Sequence, residues 1–193
     1  MTRILFIHGL ASSGTYKTAD TLRILLKPCE VIAPDVPIEP VEALTMLKGI
    51  CSEQHPDLIV GLSLGGFWAQ QLRGIPRILI NPDLHPSILL RALRGEMKYL
   101  SPRRDGVASF IITDEVCDGY RELEAHAFEG ITPEDSALVV GMFAQQDELV
   151  RCGEEFASLY PGRSVSYPGG HLPTYPEIKR HLVPIARDLM KKP

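Results

Sequence analysis
The sequence predicts a three-layer α/β/α sandwich on a reduced, mainly parallel sheet of about six strands. Three observations predict it. Short apolar runs alternate with stretches of helical period, the order that makes parallel strands joined by crossover helices. The runs are nearly continuous rather than alternating, as in strands covered on both faces. One run leads straight into a serine flanked by glycines and then into a helical stretch.

The elements follow in order. Arg3–His8 is the first strand, and the turn-rich Gly9–Gly14 follows it. A helix is expected from about Thr18 to Lys27, with Ala19, Leu22, Leu25 and Leu26 on one face and Pro28 as its stop. Glu30–Ala33 is the second strand, followed by a loop with Pro34, Pro37 and Pro40. A second helix covers roughly Val41–Glu53, with Leu44, Leu47, Ile50 and Cys51 at helical spacing. Leu58–Leu62, Arg77–Ile80, Ser136–Phe143 and Arg163–Tyr167 complete the strands. Helices are expected over Gly65–Leu72 and over Pro176–Met190, with Pro184 kinking or splitting the latter.

The stretch 84–135 is too long for a simple crossover and lacks clear periodicity. It reads as an insertion forming a partial lid, with a strand expected at Ser109–Thr113 and a helix at Gly119–Ala127. Its charges are segregated. Arg91, Arg94, Lys98, Arg103 and Arg104 form a basic half; Asp114, Glu115, Asp118, Glu122, Glu124, Glu129, Glu134 and Asp135 an acidic one. One reading is two solvated faces that neutralise each other. The other is a basic wall facing an anionic leaving group such as coenzyme A.

Bulk properties agree with one domain over residues 1–193. The chain is 45% apolar and 23% charged, ordinary for a globular domain. A net charge of −4, from 20 basic and 24 acidic residues, gives no general attraction to nucleic acid. Cys29, Cys51, Cys117 and Cys152 form no CxxC pair and have no adjacent histidine cluster, so no metal site is expected and the thiols read as reduced. The N-terminal apolar run is too short for a secretory segment, and no stretch reaches membrane-spanning length. The expectation is a cytoplasmic protein without membrane insertion, a monomer or small homo-oligomer.

The chemistry is carried by Gly61-Leu62-Ser63-Leu64-Gly65, a G-x-S-x-G sequence. Between a strand and a helix this is a nucleophile elbow: a strained turn lifts the hydroxyl above the sheet edge, and side chains two residues either side would collide. A bare match is also compatible with a glycine-rich turn and a bystander serine; the flanking strand and helix favour the elbow. Acyl transfer needs two backbone N–H donors for the oxyanion. Leu64, after the nucleophile, and Leu10, after the first strand, are the candidates. His8 reads as a brace for that loop, with a catalytic base as the alternative.

In this order of elements an acid follows Ser63, and then a His. His171, aimed by the Pro168-Gly169-Gly170 turn, qualifies better than His85 or His126 in the insertion or His181 in the last helix. Asp147 follows the fifth strand; Glu148 and Asp83 are the alternatives. Such a set supports two-step acyl transfer without a cofactor. A non-catalytic small-molecule receptor or interaction module on the same scaffold is the rival, and a nucleotide-binding reading lacks its motifs.

Together His8-Gly9, the GLSLGG elbow, Asn81-Pro82, the QQDE turn at Gln145–Glu148, the Gly-Gly-His171 turn and Pro184-Ile185 resemble the α/β-hydrolase superfamily, and more closely the small bacterial YqiA-type esterases. The likeness is weakest over about Gly95–Asp135. In that family the histidine commonly stands one residue later in the glycine turn. The resemblance implies a compact, cofactor-free hydrolase of small-molecule carboxylic esters, with acyl-CoA thioesters as a second substrate class. It implies that Ser63, Asp147 and His171 are its triad.

Overall fold
The computed structural model describes residues 1–191. Six strands form one parallel sheet: β1 (Arg3–Ile7), β2 (Glu30–Ile32), β3 (Leu58–Leu62), β4 (Arg77–Ile80), β7 (Val139–Ala144) and β8 (Ser164–Tyr167). Their order is β2-β1-β3-β4-β7-β8, so the chain starts near one edge and winds outward both ways. The sheet matches the expected strand number, and every pairing in it is parallel.

Successive residues of a strand point to opposite faces, and this divides the core in two. Leu5, Ile7, Ile59, Leu79 and Val139 face one layer, built from α2 (Pro40–Gln54), α3 (Leu64–Gln71), α5 (Asp114–His126) and α7 (Gly153–Leu159). Ile4, Phe6, Leu58, Val60, Ile78 and Ile80 face the other, built from α1 (Lys17–Leu25) and the C-terminal helix. That helix is broken as Pro184 requires. A short α8 (Tyr175–Glu177) leads into a π-helical turn at Ile178–Leu182 and then α9 (Val183–Leu189), with Pro184 in its first turn. A proline has no N–H to give and clashes with the carbonyl four residues back; the wider turn absorbs both.

The insertion is more ordered than its sequence suggests. It contains α4 (Pro86–Ala92), an antiparallel hairpin of β5 (Gly95–Lys98) and β6 (Ser109–Ile112), then α5 and α6 (Pro133–Ala137). Thr113 and Thr132 cap α5 and α6 through their hydroxyls. Two expectations are corrected. The fifth strand begins at Val139, because Ser136 lies in α6, and α5 begins at Asp114, well before Gly119.

The hairpin loop is strapped to the rest of the molecule. Leu100 donates its N–H to the Ala11 carbonyl at 2.7 Å. Ser13 Oγ donates to the Pro102 carbonyl at 2.7 Å, and the Arg104 N–H donates to Asp35 Oδ2 at 2.7 Å. Arg103 lies over the Tyr99 ring and donates to the Val36 carbonyl. Arg91 and Arg94 pair with Asp118 and Asp114 of α5. Arg91 and Arg94 thus meet the acidic half, as the neutralising reading expects, whereas Arg103 pairs with Asp105 and Arg104 bonds the Ala33 carbonyl. Asp135 departs from that reading. It is buried and bidentate to the fully buried Arg77, with contacts of 3.0 and 2.7 Å.

Candidate active site
The site lies where the carboxyl ends of β1, β3, β4, β7 and β8 meet. Ser63 follows β3 directly and has φ 56° and ψ −117°, the left-handed region that an L residue occupies only under strain. Its flanking glycines are required by contact. A methyl group on Gly61 would sit 2.1 Å from the Gly65 carbonyl oxygen, and one on Gly65 would sit 2.0 Å from that of Ile7. The elbow backbone is held by β4: Ser63 N–H donates to the Ile80 carbonyl at 2.9 Å, and Asp83 N–H donates to the Ser63 carbonyl at 3.2 Å.

The loop after β1 lies against the nucleophile. A methyl group on Gly9 would come within 3.2 Å of Ser63 Cβ and 3.8 Å of Ser63 Oγ. Leu10 and Leu64, the expected oxyanion donors, line one narrow slot with Val36, Ile38, Trp68, Tyr99 and Phe110. Its free volume is ≈ 20 Å³; roughly 10–15 Å³ by this measure holds one water. Among the described residues the Leu10 and Leu64 N–H groups donate to no other group in the chain, which leaves both available to an oxyanion.

His8 braces this loop. Its Nε2 accepts from the Val36 N–H at 3.0 Å, so Nδ1 carries the proton and donates to the Gly9 carbonyl at 2.8 Å. The ring is 5% exposed. Burial pushes its pKa down to about 4, against the opposing hydrogen bond to Gly9 and the nearby Asp35. A neutral imidazole with both nitrogens engaged inside the loop is a structural part.

The acid and base candidates meet. His171 Nδ1 and Asp147 Oδ2 are 2.8 Å apart. The other carboxylate oxygen, Oδ1, accepts from the Leu149 and Val150 N–H groups at 2.8 and 3.1 Å, which fixes the side chain. Asp147 is buried, 7% exposed, and His171 is half-buried. The His171 ring bonds Asp147 rather than either alternative acid. Glu148 is exposed. Asp83 is buried and accepts from the His85 N–H at 3.1 Å. Burial raises its pKa, the His85 hydrogen bond opposes this, Glu124 adds to it, and the charges of His85 and His171 again oppose. Of the other histidines, His85 pairs with Glu155, His126 with Glu129, and His181 lies against the Tyr167 ring.

One residue was not singled out from the sequence as part of the site. Asn81, quoted there only as a strand end, donates to the His171 carbonyl at 2.7 Å. Among the described residues no group of three or more His, Cys, Asp or Glu side chains is placed to hold a metal ion, and no helix is long and apolar enough to cross a membrane.

Comparison with known proteins agrees with this architecture. The chain is similar to Est1E from Butyrivibrio proteoclasticus, with a TM-score of 0.67 at 16% identity over 99% of this chain and 89% of that one. It is similar to an alpha/beta hydrolase from Novosphingobium aromaticivorans, with a TM-score of 0.59 at 14% identity over 98% of this chain and 89% of that one. At such identities the likeness is one of fold, and the fold is that of the α/β-hydrolases. A UPF0227 protein of Shewanella oneidensis is 30% identical over 93 residues, covering 43% of this chain and 52% of that protein. The chain thus spans about half the length of the curated relatives it matches. The model of an uncharacterised protein family, UPF0227, matches residues 3–104, over half of the 193. The chain therefore belongs to the UPF0227 family.

Proposed function
We propose that the protein is a serine hydrolase of small, neutral carboxylic esters with short acyl groups. The observation that carries the reading is the Asp147–His171 pair, 2.8 Å apart, after the two strands beyond β4, at the same carboxyl edge of the parallel sheet as the elbow Ser63, whose φ is 56°.

His171 takes the Ser63 proton at Nε2 while Oγ adds to the ester carbonyl. Asp147 holds the Nδ1–H tautomer and stabilises the imidazolium. The oxyanion is met by the N–H groups of Leu10 and Leu64; Leu64 opens α3, whose positive end adds to the effect. His171 then protonates the departing alkoxide, leaving an acyl-serine. Water, deprotonated by the same base, releases the acid and restores Ser63. No cofactor enters these steps.

Two further observations narrow the substrate. The slot beside the Leu10 and Leu64 N–H groups is narrow and lined mainly by apolar side chains, which favours a short acyl group. Arg91, Arg94 and Arg103 pair with Asp118, Asp114 and Asp105, and Arg104 donates to the Ala33 carbonyl, which weakens the case for a polyanionic leaving group. The same triad chemistry cleaves thioesters, but this favours neutral esters over acyl-CoA. The insertion 84–135 acts as a partial lid, its hairpin loop closing the slot.

The test compares p-nitrophenyl acetate with acetyl-CoA for the wild type and Ser63→Ala. The expected result is turnover of the neutral ester, with kcat reduced by roughly 10⁴-fold or more in the variant. Wild-type turnover in Ser63→Ala contradicts the mechanism. A higher kcat/KM for acetyl-CoA contradicts the substrate class.

A further inference from the structure
Asn81 performs no chemistry in this reading, yet it touches the segments that do. It follows β4 with φ 42° and is 1% exposed. Asparagine is one of the few residues that accepts this left-handed backbone, and the turn directs its amide across the top of the sheet. Its own N–H donates to the Met142 carbonyl at 2.8 Å. Its Oδ1 accepts from the Ala144 N–H at 2.8 Å, which identifies the other end of the amide as nitrogen. Nδ2 then donates to the His171 carbonyl at 2.7 Å and to Tyr167 Oη at 3.0 Å, with the Gly170 carbonyl further off at 3.4 Å.

One buried side chain thus ties the end of β7, where the chain turns toward Asp147, to the carbonyl of His171 itself. The adjoining residues complete the connection to the nucleophile. Ile80 and Asp83 bond the Ser63 backbone from either side. Pro82 fills the space beside Gly66 of α3, where a methyl group would come within 2.6 Å of it. The glycine turn is otherwise tied at Gly169, whose N–H donates to Gln146 Oε1 and whose carbonyl accepts from the Gln146 N–H. The tie at His171 is the Asn81 amide.

We propose that Asn81 is a positioning residue that fixes the backbone of His171 so that its imidazole keeps register with both Asp147 and Ser63. This rests on the hydrolase reading. A base displaced by even 1 Å loses roughly 10²-fold in rate, and the Gln146 bonds at Gly169 stop two residues short of His171.

The variant that isolates the role is Asn81→Asp. It keeps the size, the tolerance of the left-handed backbone and the acceptor for Ala144, and at the alkaline pH where the buried carboxyl is ionised, the pH at which all variants are compared, it removes the donor to His171. Asn81→Gly keeps the backbone freedom and removes the amide entirely. The measurements are the second-order rate of fluorophosphonate labelling at Ser63, kcat and KM on p-nitrophenyl acetate, and the low-field Nδ1–H proton resonance of His171.

In Asn81→Asp, kcat and labelling rate fall together by roughly 10- to 100-fold, KM stays within about twofold, and the low-field resonance weakens, while unfolding remains cooperative. Asn81→Gly shows the same pattern; should it fail to fold, Asn81→Asp decides. A lowered unfolding temperature with wild-type rate per folded molecule, or an unchanged resonance and kcat, overturns the proposal. Wild-type protein that does not label overturns the hydrolase reading and this proposal with it. Wild-type labelling matched by Asn81→Asp overturns this proposal alone.

Discussion
At the residue scale, the site depends on a few side chains, and on absent ones, whose environments leave little choice. His8 makes a pH prediction. Its folded pKa of about 4 lies below the ordinary 6.5 because burial disfavours the charged ring. Between those values the unfolded chain binds a proton that the native loop refuses, so stability falls as pH drops through that window and is fully present above it. The loss amounts to about 3 kcal/mol once pH is well below 4. Denaturant titrations near pH 7 and pH 4.5 should differ by most of that amount in the wild type and by clearly less in His8→Asn. Gly65→Ala makes a steric one. Its methyl group would overlap backbone at 2.0 Å, so the variant should lose about 3 kcal/mol or more, or not accumulate as folded protein. Both residues were legible in the sequence, because a tight elbow leaves its glycines at fixed spacing and a histidine at a strand end has nearby backbone to bond. Asn81 was not legible as a site residue. Its partners, Ala144 and His171, lie 63 and 90 positions away, and no local pattern encodes such a junction.

At the scale of elements, the sheet and its main crossover helices could be read from periodicity because they bury apolar faces. The insertion could be read only in part: β6 and the second half of α5 match the expected strand and helix, while α4, β5 and α6 were not foreseen. The hairpin of β5 and β6 has strands of four residues with exposed positions, and α4 spans seven residues, lengths over which a helical or alternating period barely registers. Its order comes instead from bonds to the loop after β1 and to the chain between β2 and α2, which only the folded chain brings together. The basic half made the same point. Its arginines suggested an anionic ligand, but Asp114, Asp118 and backbone carbonyls of the chain hold them. The slot walled on one side by Tyr99 and Phe110 sets the element-scale prediction. Wild-type kcat/KM on p-nitrophenyl esters should be highest for acetate and fall with chain length. Tyr99→Ala, which removes one wall, should shift the optimum by about two to four carbons, since each buried methylene contributes about 0.8 kcal/mol. An unchanged chain-length profile would show that Tyr99 does not bound the acyl group.

At the scale of the whole molecule, the two ends of the sheet do different work. The carboxyl end collects strained and polar groups around Ser63, and the opposite end anchors the insertion through Arg77 and Asp135. That buried pair stabilises mainly as a pair, because either member alone is an uncompensated charge. Asp135→Ala should cost about 3–5 kcal/mol in denaturant unfolding, and Arg77→Met/Asp135→Leu considerably less. Equal losses would mean that packing rather than charge pairing holds the insertion there. The central claim concerns the other end: Ser63 is activated by His171 and Asp147. The most direct test is to label the folded protein with a fluorophosphonate probe and locate the adduct by peptide mass mapping. The account predicts a single adduct on Ser63 that is lost in His171→Ala and strongly slowed in Asp147→Asn. Folded protein that takes no label, or labels at Ser63 equally fast without His171, would contradict it.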